Sequence, residues 1–136
     1  MPRISEQVAR LKQKIETIPV DARAQIRKAL DKSADELIDL QQRMVPTDSG
    51  NLKRSIRKEA GDHDLAVRVA AGGPATTKPV RRGISEQFDY SLGIEFGTST
   101  RPAHPFFFPA YRVLRRRITN RIVGAVRAAV NKTVAE

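Results

Sequence analysis

Between Pro19 and Pro46 apolar residues recur every three or four positions: Ile26, Leu30, Ala34, Leu37, Leu40 and Met44. That is the helical period, and it predicts one helix from about Val20 to Met44 with a single stripe turned toward a core. Pro19 is tolerated at the entry, where a missing N–H has no partner to lose. Pro46 forces the exit, because the residue ahead of a proline is pushed out of the α region. Asp21 near the start and Arg43 near the end both suit the helix dipole. A chain of 136 residues is about one domain long, so residues 1–136 are expected to form a single unit that covers this stripe.

Two further helical series flank the first. Ile4, Val8, Leu11, Ile15 and Ile18 are spaced 4, 3, 4, 3, a heptad seam too short for a coiled coil. Residues 1–18 therefore read as a helical N-terminal arm packed on its own domain. At the other end a helix is expected from about Pro109 to Val134, burying Tyr111, Leu114, Ile118, Ile122, Ala125 and Ala129.

The middle of the chain is built differently. Pro, Asp, Ser, Gly and Asn crowd into VPTDSGNLKRSI, residues 45–56, a turn in which Thr47 or Asp48 can cap a short helical stretch through Leu52. Residues 56–71 read as a hairpin. Leu65, Val67, Val69 and Ala71 alternate with Ala66, Arg68 and Ala70, Ile56, Lys58 and Ala60 alternate more weakly, and Gly61-Asp62-His63-Asp64 makes the turn. Residues 72–87 hold three Gly, two Pro and no sustained period, which predicts a long mobile loop. In FDYSLGIEFG, Tyr90, Leu92, Ile94 and Phe96 alternate as a strand. A short helix is the competing reading, weakened by Gly93. A Pro-rich aromatic corner, TSTRPAHPFFFPA, leads into the last helix. The expected class is α+β: a long N-terminal helical region, a small antiparallel sheet with a long mobile loop, and a long C-terminal helix.

Chemistry is sparse. The sequence has no Cys, which removes disulfides, thiolate metal sites and thiol nucleophiles. His63 lies in Asp62-His63-Asp64, but neighbours on a tight turn diverge, and His104 is the one other histidine. Ser49 and Ser55 lack the context of a nucleophile elbow, and Gly72-Gly73-Pro74 precedes neither GK[ST] nor a helix start. No catalytic activity, metal or cofactor is expected. No apolar run reaches the roughly 20 residues of a membrane span, and the N-terminus lacks the apolar core of a signal peptide. Neither export by that route nor a membrane partner is expected.

Charge is concentrated. The net charge is +10, and residues 101–136 hold eight Lys and Arg against one Glu. A solvated Arg-rich face is the plain reading; a face toward nucleic acid or an acidic partner is the functional one. Arg112, Arg115, Arg116, Arg117 and Arg121 are its candidate residues, with Arg112, Arg116 and Arg115 closest to one stripe.

Two segments in this order carry a resemblance. The first is Pro46, Asp48, Ser49, Gly50, Leu52, Lys53, Ser55 and Ile56 after a long helix. The second is Tyr90, Glu95, Phe96, Gly97, Thr98, Pro105, Phe106, Pro109 and Ala110 before a terminal one. Together they resemble the tail-component family of long-tailed bacteriophages that includes the minor tail protein Z-like, or tail-completion, proteins. Gly93 stands where that pattern favours a bulkier residue. The resemblance implies a structural virion protein of the head-tail neck. It would work as an oligomeric ring around the DNA channel, in a phage, a prophage remnant or a gene transfer agent. Its implied partners are copies of itself, neighbouring neck or tail rings, and DNA bound without sequence preference. It implies a place at the tail top of the virion after assembly in the host cytoplasm. Tyr90, Glu95, Phe96, Gly97, Thr98, Pro105, Phe106 and Phe107 are the expected inter-subunit or tail-facing residues, and Pro46, Asp48, Ser49, Gly50 and Leu52 the structural turn. The alternative, on charge alone, is a small basic protein that binds nucleic acid without reading sequence. Its seven aromatics show no stacking pattern among basic residues.

Overall fold

The computed structural model describes residues 3–16, 18–46, 50–79, 83 and 87–135. Helix α1 spans Ile4–Glu16 and α2 spans Val20–Met44, the latter ending as the prolines dictate: Val45 is extended (φ −68°, ψ 134°), and its N–H closes the last turn on Gln41 O. A short helix, α3 (Asn51–Ser55), follows Gly50, whose φ is +72°. Strands β1 (Arg57–Ala60) and β2 (Val67–Ala70) form an antiparallel hairpin, with Arg57 opposite Ala70 and Ala60 opposite Val67. A single 3-10 turn, Pro74–Thr76, precedes β3 (Thr77–Pro79), which pairs with β4 (Gln87–Asp89). Helix α4 is Tyr90–Phe96 and helix α5 is Phe108–Ala135. Helices with small antiparallel ladders make the class α+β.

The frame is α2 with α5 running back along it. Gln41 near the end of α2 meets Phe107 just before α5, Glu36 meets Arg121, and Ala22 and Ile26 meet Ala129. Two clusters hold it. One gathers Val45, Leu52, Ile56 and Phe106, with Ile38, Tyr90 and Ile94 against them; the other is Ala22, Ile26 and Ala129, with Ile18, Leu30 and Leu65. Each buried aliphatic or aromatic side chain contributes about 1.5–3 kcal/mol. The hairpin is pinned to α2 by ions: Lys58 reaches Asp35 at 3.0 Å and Asp31 at 3.7 Å, and Arg23 pairs with Asp64 of the hairpin connection.

Several expectations need correction. Residues 90–96 are a helix and not a strand. Asp89 caps it, accepting the Ser91 N–H at 3.0 Å, and a Cβ at position 93 would crowd Thr98 Cγ2 at 3.0 Å and the Phe88 ring at 3.4 Å, which favours Gly93. The segment 72–87, expected to lack regular structure, holds a 3-10 turn and β3 and ends in β4, and Asp89 binds Gly73 and Thr76; residues 80–82 and 84–86 lie outside the described residues. The heptad seam does not pack on its own domain at its first two positions: Ile4 is 80 % exposed and Val8 is exposed too, while Ile18 joins the α2–α5 cluster. Met44 and Tyr111 are exposed; Gln41 and Ala110 are buried.

Candidate functional site

The second family-like segment folds as a hook, α4 followed by a corner that turns into α5. Glu95 is its centre. It is 7 % exposed. Its Oε2 accepts the N–H groups of Phe106 (2.8 Å) and Phe107 (2.9 Å), and its Oε1 accepts that of Phe108 (3.0 Å). The first amides of a helix have no acceptor within it, and the positive end of the dipole favours an anion. Glu95 thus caps α5 from another element. Gly97 ends α4 with φ +82°, and a Cβ there would stand 3.0 Å from Ala103 N, so only glycine makes the reversal without strain. Thr98 then closes a tight turn: its N–H donates to Arg101 O at 2.9 Å, and its Oγ1 accepts the Arg101 N–H at 3.1 Å.

Around this anchor the expected interface residues divide. Phe106 and Glu95 are interior. Tyr90 and Phe107 are half-buried against the first cluster, with Lys78 Nζ 5.2 Å from the Tyr90 ring centroid. Phe96 (66 % exposed), Thr98 and Pro105 face outward. Residues that the motif reading passed over extend that outer surface. Leu92 lies one turn from Phe96 on α4, Phe108 meets the Phe96 ring at 6.1 Å between centroids, and Phe88 packs by Gly93. Leu92, Phe108 and Phe88 are all exposed. Leu92, Phe96 and Phe108, with Phe106, Ala70 and Ala71, line a cleft of about 280 Å³.

The first family-like segment is tied to the hook through the chain between them. Leu52 is in the core and Gly50 O accepts the Arg54 N–H; Pro46 is half-buried, while Asp48 and Ser49 lie outside the described residues. Ser55 Oγ donates to Leu52 O (2.6 Å) and accepts the Gly72 N–H (3.0 Å). Arg57 Nη1 donates to Gly72 O at 2.6 Å. Asp89 gathers the next residues, accepting Gly73 N–H and Thr76 Oγ1 as well as Ser91 N–H. Burial pushes the Asp89 carboxyl up, but the hydrogen bonds from Thr76, Ser91 and Gly73 outweigh it and hold it below 3.8. Asp89 and Gln41 were missed by sequence reasoning; the acid immediately ahead of a Tyr-Ser step was the available signal for the first.

The basic residues also divide. Glu36 on α2 takes Arg121 (2.6 Å) and Arg117 (3.1 Å), and Arg121 Nη1 reaches Ser33 Oγ. The hydrogen bond from Arg121 keeps the Glu36 carboxyl below its usual 4.5. Arg112, Arg115 and Arg116 are exposed, and among the described residues no carboxylate pairs with them. No group of three His, Asp or Glu side chains among the described residues stands close enough to hold a metal, and no helix among them is long and apolar enough to cross a membrane.

A protein family described as "Bacteriophage HK97-gp10, putative tail-component" matches residues 9–97. No curated protein and no solved structure matches the chain. The match takes in α2, the turn and α3, both hairpins and α4 with Glu95, and stops short of the corner and of α5, so it covers less of the chain than the two motifs suggested. It spans more than half of the sequence and contains the first motif and the Glu-Phe-Gly of the second, and on these grounds the chain belongs to the HK97 gp10-like family of bacteriophage tail components.

Proposed function

We propose that this protein is a structural component of the virion head-tail junction, which assembles as a ring of identical subunits that completes the tail or joins it to the DNA-filled head. The supporting observation is the exposed apolar surface of Leu92, Phe96 and Phe108 around one cleft beside the Glu95 anchor. Contiguous exposed apolar surface on a small domain marks a contact with another macromolecule. This one stands on a rigid, capped corner, so its shape is set before a neighbour arrives. A ring needs a patch that meets a different patch on the next copy, and the exposed seam positions Ile4 and Val8 offer a second apolar surface. The Arg112–Arg115–Arg116 side of α5 is left for DNA phosphates in the channel or for an acidic neighbouring ring. The same three residues favour a second reading, a sequence-independent nucleic-acid-binding protein acting outside a particle.

The test is a Phe96→Ser/Phe108→Ser double variant, which changes exposed residues and leaves Glu95 and the core in place. Its thermal unfolding should stay within a few degrees of wild type, while the titre of tailed, infectious or transducing particles collapses and the variant is missing from purified particles. Normal titre with this variant, or wild-type particles that lack the protein, would overturn the assignment.

A further inference from the structure

Helix α1 stands off from the body of the chain. Every α1 side chain described is exposed, Ile4 at 80 % and Val8 at 46 % among them. These two lie one turn apart on a single seam. The cleft beside α4 is bordered by Leu92 and Phe96, also one turn apart, and by Phe108. Seam and cleft cannot meet within one chain. Ile18, into which α1 leads, packs on Ala22, Ile26 and Ala129. The cleft is lined by Phe107, whose carbonyl accepts from Gln41. Ala22 and Gln41 are about 28 Å apart along α2, at about 1.5 Å per residue. Val8 reaches no farther than about 19 Å from Ile18, even with residues 16–18 fully extended. Each subunit therefore carries an apolar ridge at one end and an apolar cleft at the other.

We infer that α1 of one copy lays Ile4 and Val8 in the Leu92–Phe96–Phe108 cleft of the next copy. A contact between two unlike patches repeats from copy to copy and closes as a ring or runs on as a filament. Charge selects α1 for this role. Two copies share a net charge of +10, which opposes their approach. The other exposed apolar stripe, Val123, Val126 and Val130, belongs to α5, which has seven Lys and Arg and no acid. Residues 3–16 hold four Lys and Arg against Glu6 and Glu16, and the cleft that receives them has the Glu95 carboxylate in its lining. Area sets the strength. Half the surface of a helix of 13 residues is less than half of the ~800 Å² per partner in a standard interface. Two free copies therefore associate weakly, and the contact saturates where every copy both gives and receives a helix. The closing of the ring rests on the function proposed above; the contact between α1 and the cleft does not.

The chain has no cysteine, so cross-links can be placed one at a time. Full-length Val8→Cys and Leu92→Cys, both at exposed positions, are mixed near their solubility limit and treated with a short bismaleimide. One of them is isotope-labelled, so that the mixed dimer is resolved by mass. Single-cysteine chains join only between molecules. The mixed dimer should form in about tenfold greater yield than when Val8→Cys is replaced by Arg10→Cys, about 200° further round α1, or by Val130→Cys on α5. Phe108→Ser added to the Leu92→Cys chain should cut that yield about tenfold, the worth of one buried aromatic side chain. A Val8→Cys/Leu92→Cys chain should give a ladder of covalent dimers, trimers and higher species. Equal yields from Arg10→Cys or Val130→Cys overturn the inference. So does the absence of a mixed dimer, a yield indifferent to Phe108→Ser, or a double-cysteine chain that closes only on itself. All arms use purified protein. Particles that lack this protein would end the head-tail assignment and leave the contact standing, and failed cross-links from a protein present in particles would do the reverse.

Discussion

Glu95 brings a charge into the interior with no cation paired to it among the described residues; three main-chain amides satisfy it instead. A carboxylate inside an apolar run is legible in the sequence as a charge that needs a partner when buried, and rupture of a buried ion pair costs about 3–5 kcal/mol. The amides impose a different expectation. Glu95→Ala leaves the N–H groups of Phe106, Phe107 and Phe108 without an acceptor, at about 1–3 kcal/mol, while Glu95→Gln retains one carbonyl oxygen and should lose less. Urea denaturation of the two variants checks this order, and equal midpoints for wild type and Glu95→Ala would show that the cap does not stabilise the fold. Gln41 shows the opposite problem for a sequence reader. It interrupts no pattern, because a lone polar residue beside an apolar stripe ordinarily faces solvent. Only the arrival of Phe107 from 66 residues away makes it interior.

At the scale of elements, the long helices were the most legible part, because their period repeats over many turns and prolines mark both limits of α2. Helix α4 was not. In seven residues, Tyr90–Phe96, alternation at Tyr90, Leu92, Ile94 and Phe96 fits a strand, yet Tyr90 with Ile94 and Ser91 with Glu95 are equally one helical turn apart. What decides between them is Asp89 as a cap and the tertiary demand on Glu95. The ends of the 72–87 segment escaped for a similar reason, since their order depends on Asp89, seventeen residues from the start of that segment. The pairs that dock one element on another carry the pH dependence. Arg121 holds Glu36 below 4.5, Arg23 holds Asp64 below 3.8, and the net effect at Asp89 is also downward. A depressed carboxyl stabilises fully above its unfolded pKa, and that contribution is lost as pH falls through the folded value. Asp35, by its hydrogen bond, raises Lys58 above 10.5, so its contribution is complete below 10.5 and lost as pH climbs through the raised value. Stability should therefore be greatest between these limits, fall below about pH 4.5 and fall again in strong alkali. Denaturant midpoints across pH measure it, and Asp64→Asn with Asp89→Asn should flatten the acid limb. A midpoint unchanged between pH 5 and the acid extreme would refute the docking role of these groups.

For the whole molecule, the distribution of charge sorts the surfaces. Eight Lys and Arg in residues 101–136 were visible at once, but which of them are free was not, because Glu36 lies 81 residues before Arg117 and 85 before Arg121. Among the described residues, Arg101, Arg112, Arg115, Arg116, Arg127 and Lys132 have no carboxylate partner, and of these Arg112, Arg115 and Arg116 lie together at the start of α5. Duplex DNA should bind without sequence preference, and Arg112/Arg115/Arg116→Gln should lower the slope of log K against log salt by about 3 at most, one counterion for each phosphate released. Affinity measured over a salt series tests this; an unchanged slope would make the stripe a solubilising face. The fork at Glu95 has a wider consequence. The family match closes two residues beyond it, and Glu95 grips the corner leading into α5 only by main-chain N–H groups, which every residue but proline possesses. Pro105 and Pro109 bracket the triplet it holds. The matched portion therefore ends in a grip that reads main chain alone, and the side-chain demand at this joint falls on Phe106, which fills the first cluster. A continuation that presents three successive amides behind one buried aromatic can be seated at the same place, which leaves the exposed face of the rod beyond it free to vary in charge.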